Sequence, residues 1–342
     1  MNNKSQTLDA SIDELSAFAT ATGISVSELS GHRVYQVSGD DASEFLQGQF
    51  CNDLAQASDT HAQITGYCTP KGRLLALPTL VGCSSGYRML VSEDVADAFI
   101  KRLSMFVMRS NVVIEPLSDW SAVGITFDEA THAESVSEQL GALPVGEFSS
   151  STSEAAQLIR WHADYTGAAP RARFIRLAPI QDQHDVISKL SGASMVSPLT
   201  WRLSDISAGV PSITNGVVEA FVPQMVNLQL IDGLSFTKGC YPGQEIVARM
   251  QYLGKLKRHM RVFSMPIDQA MNLDDILKPG ATLESGSDEN AGVVVDGMPL
   301  ASDQALVLAV TKVLSEESAF RLAGAQLQAH PMPYDLPSLE VA

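Results

Sequence analysis

Within eight residues, Lys238-Gly239-Cys240-Tyr241-Pro242-Gly243-Gln244-Glu245 brings together a thiol, an amine, a phenol, a carboxamide and a carboxylate. Cys240 is the group with the widest chemistry. A thiolate there could act as a transient nucleophile, as a persulfide or redox carrier, or as one ligand of a cluster shared with a partner. Lys238, two residues away, favours the charged form, and so does a helix N-terminus just beyond. The competing reading is a buried, inert cysteine at a loop–helix junction, since cysteines often behave as small hydrophobes.

The surrounding residues must hold that thiol in place. Two glycines and a proline prevent a straight run. Gly239 permits a positive φ or a close backbone approach. Pro242 lacks an N–H and suits the first turn of a helix. From Gln244 to Met250 the spacing predicts a short amphipathic helix, with Ile246, Val247 and Met250 on one face. Glu245 lies in its first turn, where a negative charge complements the helix dipole.

The four cysteines, Cys51, Cys68, Cys83 and Cys240, include no C-x-x-C pair. That spacing argues against a zinc ribbon and a self-sufficient iron–sulfur site, so no metal ligands are assigned. The chain has 342 residues, 45% of them hydrophobic, which implies a folded protein of two or three domains. No stretch approaches a membrane span, and the N-terminus lacks the apolar core of a signal peptide. A cytoplasmic location without membrane attachment is the expectation, with the cysteines reduced. The net charge of −16 argues against direct DNA binding. Residues 238–261 run the other way. Lys238, Arg249, Lys255, Lys257, Arg258 and Arg261 face a single acid, Glu245. This stretch is either a solvated surface or a site for an anionic ligand. No P-loop, G-x-G-x-x-G, G-x-S-x-G or H-E-x-x-H motif occurs.

Apolar spacing predicts a helix over 8–20, a strand over 32–38, and a helix after Gly39-Asp40-Asp41 with Asp41 and Glu44 as a capping-box variant. Strands follow at 61–69 and 74–81, joined by the turn Pro70-Lys71-Gly72-Arg73, and then at 87–91. A helix at 93–107, strands near 112–114 and 123–127, and a helix near 130–141 come next. A loop at 142–154 marks a lobe boundary. Strands near 158–161 and 173–177 and a helix over 181–192 precede a short helical stretch that Trp201 opens and Ala208-Gly209 ends. Beyond residue 256, short strands between glycine-rich turns suggest a small antiparallel barrel. The tail Pro331-Met332-Pro333-Tyr334-Asp335-Leu336-Pro337 is extended by its prolines. Without a steady βαβα rhythm the fold class is α+β.

The octapeptide 238–245 resembles the signature of the YgfZ-type folate-binding proteins, a family tied to iron–sulfur cluster proteins and related to the glycine cleavage T-protein, an aminomethyltransferase. The resemblance extends through Phe221–Leu228, Gly233–Phe236, Trp201, Ala208–Pro211 and Phe45–Gln49. It implies two mixed antiparallel lobes plus a C-terminal antiparallel β-barrel: residues 1–150 and 151–255, the latter carrying the motif, and the barrel at 256–342. It implies tetrahydrofolate or a derivative as cofactor, and transient iron–sulfur enzymes or assembly proteins as partners, tRNA-modifying enzymes among them. Cys240 would be the reactive group, supported by Lys238, Gly239, Tyr241, Gly243, Gln244 and Glu245. Trp201, His32 and Arg249 would contact the folate. At His32 the family carries a tryptophan. At Ser207 it carries a glutamate able to pair with the pterin N–H groups. Asp205 is the nearest substitute, although two residues along a helix face another way.

Two other functions stay open. One is a true aminomethyltransferase, for which Lys71–Leu77 lacks the aspartate that the T-protein uses. The other is a non-catalytic binding or scaffold protein.

Overall fold

The computed structural model describes residues 8, 11–152, 156–252, 256–312 and 319–336; Lys255 and Pro337 lie outside them. Helix α1 (Ile12–Thr20) leads into β1 (Ser25–Glu28) and β2 (His32–Ser38). Next come α2 (Ala42–Gln47), β3 (Gln63–Ile64), β4 (Tyr67–Cys68), β5 (Leu74–Ala76), β6 (Thr79–Cys83), β7 (Gly86–Ser92), α3 (Glu93–Ser104) and β8 (Val113–Pro116). A second run holds β9 (Trp120–Phe127), α4 (Glu129–Leu140), β10 (Ser150–Thr152), β11 (Gln157–Asp164), β12 (Arg171–Pro179), α5 (Ile180–Ile187), β13 (Ser194–Val196) and α6 (Pro198–Ser207). After two 3₁₀ turns, Pro223–Val226 and Leu228–Ile231, come α7 (Gln244–Tyr252), β14 (Arg258–Pro266) and α8 (Leu273–Ile276). The chain closes with β15 (Thr282–Ser285), β16 (Asp288–Ala301), β17 (Gln304–Lys312), β18 (Arg321–Leu322), β19 (Ala325–Gln326) and β20 (Gln328–Ala329).

The strands form one five-stranded sheet, β3-β6-β7-β2-β8, and one six-stranded sheet, β10-β11-β12-β9-β1-β13, with β4-β5 as a separate hairpin. The third main sheet runs β19-β18-β15-β16-β17-β14-β20. Its two edge strands, β19 and β20, are separated only by Leu327, so it is a nearly closed antiparallel barrel. The fold is therefore α+β, antiparallel but for the parallel pairing of β1 with β13. The six-stranded sheet takes β1 and β9 from one side of residue 150 and β11 to β13 from the other. The ranges 1–150 and 151–255, expected as separate lobes, thus share a sheet.

Several local expectations change. The strand expected over 61–69 breaks at Gly66. There the chain leaves its ladder to pair with Cys51, whose N–H donates to the Gly66 carbonyl and whose Sγ accepts from the Gly66 N–H. The strand expected over 74–81 breaks at Leu77-Pro78, where Pro78 has no N–H for a ladder. Asp41 does not cap α2 through its side chain; its Oδ2 accepts from the Asn111 N–H at 2.7 Å. The loop expected over 142–154 ends in β10, and Trp201 sits inside α6 rather than opening it. The turn at Pro70–Arg73 forms as expected, with the Gly72 N–H donating to the Thr69 carbonyl at 2.8 Å. No helix among the described residues is long and apolar enough to cross a membrane.

Helix α6 is central. Ser197 accepts from the Leu199 N–H at its start, and Pro198 occupies the first turn. One side of the helix meets β11 and β1, and the other meets the barrel. There Arg202 Nη2 pairs with Asp296 Oδ1 at 2.5 Å.

Candidate functional site

Cys240 is exposed, whereas its neighbours on both sides, Lys238 and Tyr241, are buried. The loop is fastened from below. Lys238 Nζ donates to the carbonyls of Gln47 and Phe50, each at 2.5 Å, at the end of α2. Burial pushes the Lys238 amine down to about 8, against the opposing charges of Cys51 and Asp53. Its Nζ lies 5.3 Å from the Tyr241 ring centroid. Burial first, then the neighbouring Cys51 and Cys68, raises the Tyr241 hydroxyl well above the ordinary phenol range. Tyr241 is thus a core residue under the loop. Cys51 and Cys68 lie beneath, both fully buried, with Cys51 Sγ donating to the Gly233 carbonyl at 3.5 Å.

The close backbone approach expected at Gly239 falls instead at Gly243. A Cβ on Gly239 would meet nothing within 4 Å. Gly243 has φ +85°, and a Cβ there would lie 2.5 Å from the Thr69 carbonyl oxygen and 2.6 Å from Gly72 Cα. The loop therefore rests on the Pro70–Arg73 turn. Gln244 Nε2 donates to the carbonyls of Lys238 and Gly239, both at 3.4 Å, and α7 follows. Glu245 and Arg249 form an exposed i,i+4 ion pair at 3.0 Å. Such a pair contributes about 0.3–0.5 kcal/mol.

The second element of the site is a cavity of about 60 Å³ between the five- and six-stranded sheets, lined by His32, Trp161, Trp201, Asp205, Ser212 and neighbouring apolar groups. Trp201 is only 3% exposed. Its ring lies against Gly124, where a Cβ would come within 2.2 Å of Cε3, and the Arg173 guanidinium stands 3.8 Å from its centroid. Glycine at 124 is what admits the indole to the sheet surface.

Asp205 follows Trp201 by four residues and so shares its helix face. Its Oδ1 accepts from Trp161 Nε1 at 3.0 Å and from Arg173 Nη2 at 2.8 Å. Among the described residues, Oδ2 has no hydrogen-bond partner. Nor do two buried atoms on the wall, His32 Nδ1 and Ser212 Oγ. Burial holds His32 below the usual histidine range, although the charge of Asp205 opposes it. Its imidazole is therefore neutral near pH 7. Ser207 turns elsewhere: its Oγ accepts from the Tyr165 N–H and donates to the Ser204 carbonyl. The carboxylate at this cavity is Asp205.

The structure thus unites His32 and Trp201 on one cavity and leaves Arg249 on the open face of α7. The other described basic residues of 238–261 do not line it either. Lys257 is exposed, Arg258 donates to the Asn290 carbonyl, and Arg261 donates to His259 Nε2. Arg173, Trp161 and Ser212 were not anticipated. Arg173 reads as one alternating strand residue among several arginines, and only the sheet register brings it beneath α6. No group of three or more His, Cys, Asp or Glu side chains among the described residues could hold a metal ion.

No family model matches the chain. It is 30% identical to the tRNA-modifying protein YgfZ of Colwellia psychrerythraea over 257 residues, 73% of this chain and 75% of that protein. Its fold is similar to that of the glycine cleavage system aminomethyltransferase T from Bartonella henselae. That match has a TM-score of 0.67 at 15% identity and covers 94% of this chain and 88% of the other. A heterotetrameric sarcosine oxidase from Corynebacterium sp. U-96 aligns over 54% of this chain at a TM-score of only 0.33. Sequence similarity over most of both chains, on a T-protein-like fold, places this chain in the YgfZ family.

Proposed function

We propose that this chain binds tetrahydrofolate or a derivative and supports iron–sulfur enzymes, tRNA-modifying ones among them, through Cys240. The observation that carries the folate reading is the pair of buried, unpartnered polar atoms His32 Nδ1 and Ser212 Oγ on the wall that also holds the Asp205 carboxylate and the Trp201 indole. A reduced pterin carries N–H donors and ring nitrogens in a flat, half-apolar frame. A carboxylate oxygen accepts from its N–H groups, and a neutral imidazole and a hydroxyl serve its remaining polar edge. The chemistry of the wall fits the group. In volume, the cavity holds about four to six waters at roughly 10–15 Å³ each, so a pterin needs its walls to part. Four successive lining residues, Val210–Ile213, lie outside helix and strand and form the loop wall.

When bound, the folate supplies a carrier for a one-carbon unit. The protein's own residues orient it: Arg173 fixes the Asp205 carboxylate by donating to its Oδ1 at 2.8 Å, and the Trp201 indole closes one side. Cys240 sits apart from this wall, on a loop that presents it to a partner. The similarity to a protein named as tRNA-modifying favours a partner enzyme in that chemistry.

Calorimetric titration of the purified protein with tetrahydrofolate tests the ligand. Binding by wild type that weakens at least tenfold in Asp205→Asn, with a thermal melt showing the variant folded at the titration temperature, is the expected result. Absence of heat with wild type overturns the reading. For Cys240, a deletion strain assayed for iron–sulfur enzyme activity should be restored by wild type and not by Cys240→Ser.

A further inference from the structure

Eight large hydrophobic side chains are well exposed among the described residues, and four of them fall within nine positions: Met105 at 61%, Phe106 at 41%, Met108 at 85% and Val113 at 51%. They lie where α3 ends and β8 begins. The segment is ordered by its own backbone bonds: Phe106 N–H to the Leu103 carbonyl, Val107 N–H to Ser104 and Ser110 N–H to Val107. Met108 takes a left-handed φ of 44°, a region that suits glycine or asparagine rather than methionine. Backbone strain is thus spent on holding an apolar side chain out in water.

The charge around the patch is also out of character. From residue 98 to 114 the chain itself carries Lys101, Arg102 and Arg109 and no acid, in a protein of net charge −16, and the acids that reach this stretch, Asp40 and Asp41, are hydrogen-bonded to Asn111. The Arg102 guanidinium stands 5.9 Å from the Phe106 ring centroid, so cation and aromatic form one surface. The patch continues onto β8, the edge strand of the five-stranded sheet, whose outer side pairs with no strand among the described residues.

We infer that Met105, Phe106, Met108 and Val113, framed by Lys101, Arg102 and Arg109, are a docking surface for an acidic protein partner. Methionine adapts to irregular apolar partners, and aromatic and arginine side chains are enriched at interface centres. The cationic rim selects carboxylates. A lipid surface or an RNA would instead set dense negative charge, over tens of ångströms, against the acidic remainder of this chain. A protein can place a few carboxylates opposite three cations and stay neutral elsewhere. With screening lengths of about 8 Å, that local match decides the sign of the interaction. This inference does not depend on the folate reading.

The test is a photo-crosslinking benzoylphenylalanine placed at Phe106 in the full chain in cells, with the same residue at Val145, exposed elsewhere at 85%, as control. The expected result is a dominant adduct at 106, absent at 145, identified by mass spectrometry as a protein of acidic isoelectric point. The adduct should fall at least fivefold in Lys101→Glu/Arg109→Glu, a variant whose melting temperature matches wild type. An adduct only with a second copy of this chain overturns the proposal. So does an adduct with nuclease-sensitive RNA, with lipid or with a basic protein, or a yield at 106 no higher than at 145.

Discussion

The Lys238 ammonium donates to the Phe50 carbonyl across 2.5 Å, joining two residues 188 apart in sequence. That bond, with its twin to Gln47, seats the Cys240 loop on the end of α2. Lys238→Ala leaves both carbonyls without a donor. A charge-assisted hydrogen bond contributes about 1.5–3 kcal/mol, so urea denaturation should show a loss of roughly that size.

The same lysine predicts a pH dependence. Its folded value of about 8 lies below the ordinary 10.5, so above pH 8 the unfolded chain binds the extra proton. Stability from this group therefore rises between pH 8 and 10.5 and is constant below 8. Wild type should gain on the order of 2 kcal/mol relative to Lys238→Met across that window, discounted for partial hydration. Parallel curves for the two proteins contradict the burial of a charged amine.

His259 acts in the acid range. Burial, then Arg261, lowers it to about 4, and its Nε2 accepts from Arg261 Nε at 2.9 Å. The native state resists protonation, so its contribution is complete above pH 6.5 and is lost as the pH falls toward 4. Protonation sets two cations in contact. His259→Gln should flatten the acid limb of a stability–pH curve in this window.

Gly243 and Gly239 should differ sharply. Gly243→Ala meets both a left-handed φ and the Thr69 carbonyl at 2.5 Å, and should cost about 1–3 kcal/mol. Gly239→Ala meets open space and should fall within about 0.5 kcal/mol of wild type. Equal losses in chemical denaturation would show that the loop does not rest on the Gly72 turn.

Alkylation should order the thiols. Cys240 is exposed, Cys83 half-buried, and Cys51 and Cys68 buried. Iodoacetamide with peptide mapping should modify Cys240 first, and Cys51 and Cys68 only on unfolding. Cys240→Ser should leave stability within about 0.5 kcal/mol of wild type.

Asp205 and Trp201 are coupled to the core. Arg173 is wholly buried, so Asp205→Ala strands a charge at a cost of about 3–5 kcal/mol. Trp201→Ala opens a cavity of similar cost. Ligand binding is better tested with Asp205→Asn and Trp201→Phe, with thermal melts alongside.

Much of the fold was legible in the sequence. Period-3.6 spacing marked α1 and α3, and alternation marked β2; α4, β11 and β12 fall where helix and strands were expected, and the helix expected over 181–192 ends at Ile187. The Cys240 loop was legible because glycine, proline and cysteine punctuate it. What sequence spacing could not reveal was long-range. The break at Gly66 depends on Cys51 arriving beside it, and the choice between Gly239 and Gly243 depends on the Gly72 turn. Asp205 was misread for a related reason. Ser207 was sought on a helix face assigned without its neighbours, and β12 supplies the arginine that singles out Asp205.

The parallel register of Ser25 with Ser194 also bears on how the chain is made. Strand β1 leaves the ribosome early, yet one of its neighbours follows roughly 170 residues later. At about 5–20 residues per second, that is a wait of roughly ten to thirty seconds. Until β13 arrives, one flank of β1 stays open, with the apolar Val26 at its centre. The nascent chain therefore carries a sticky, unfinished sheet edge through about half of its synthesis, an edge suited to holdase chaperones and sensitive to elongation rate between residues 30 and 194.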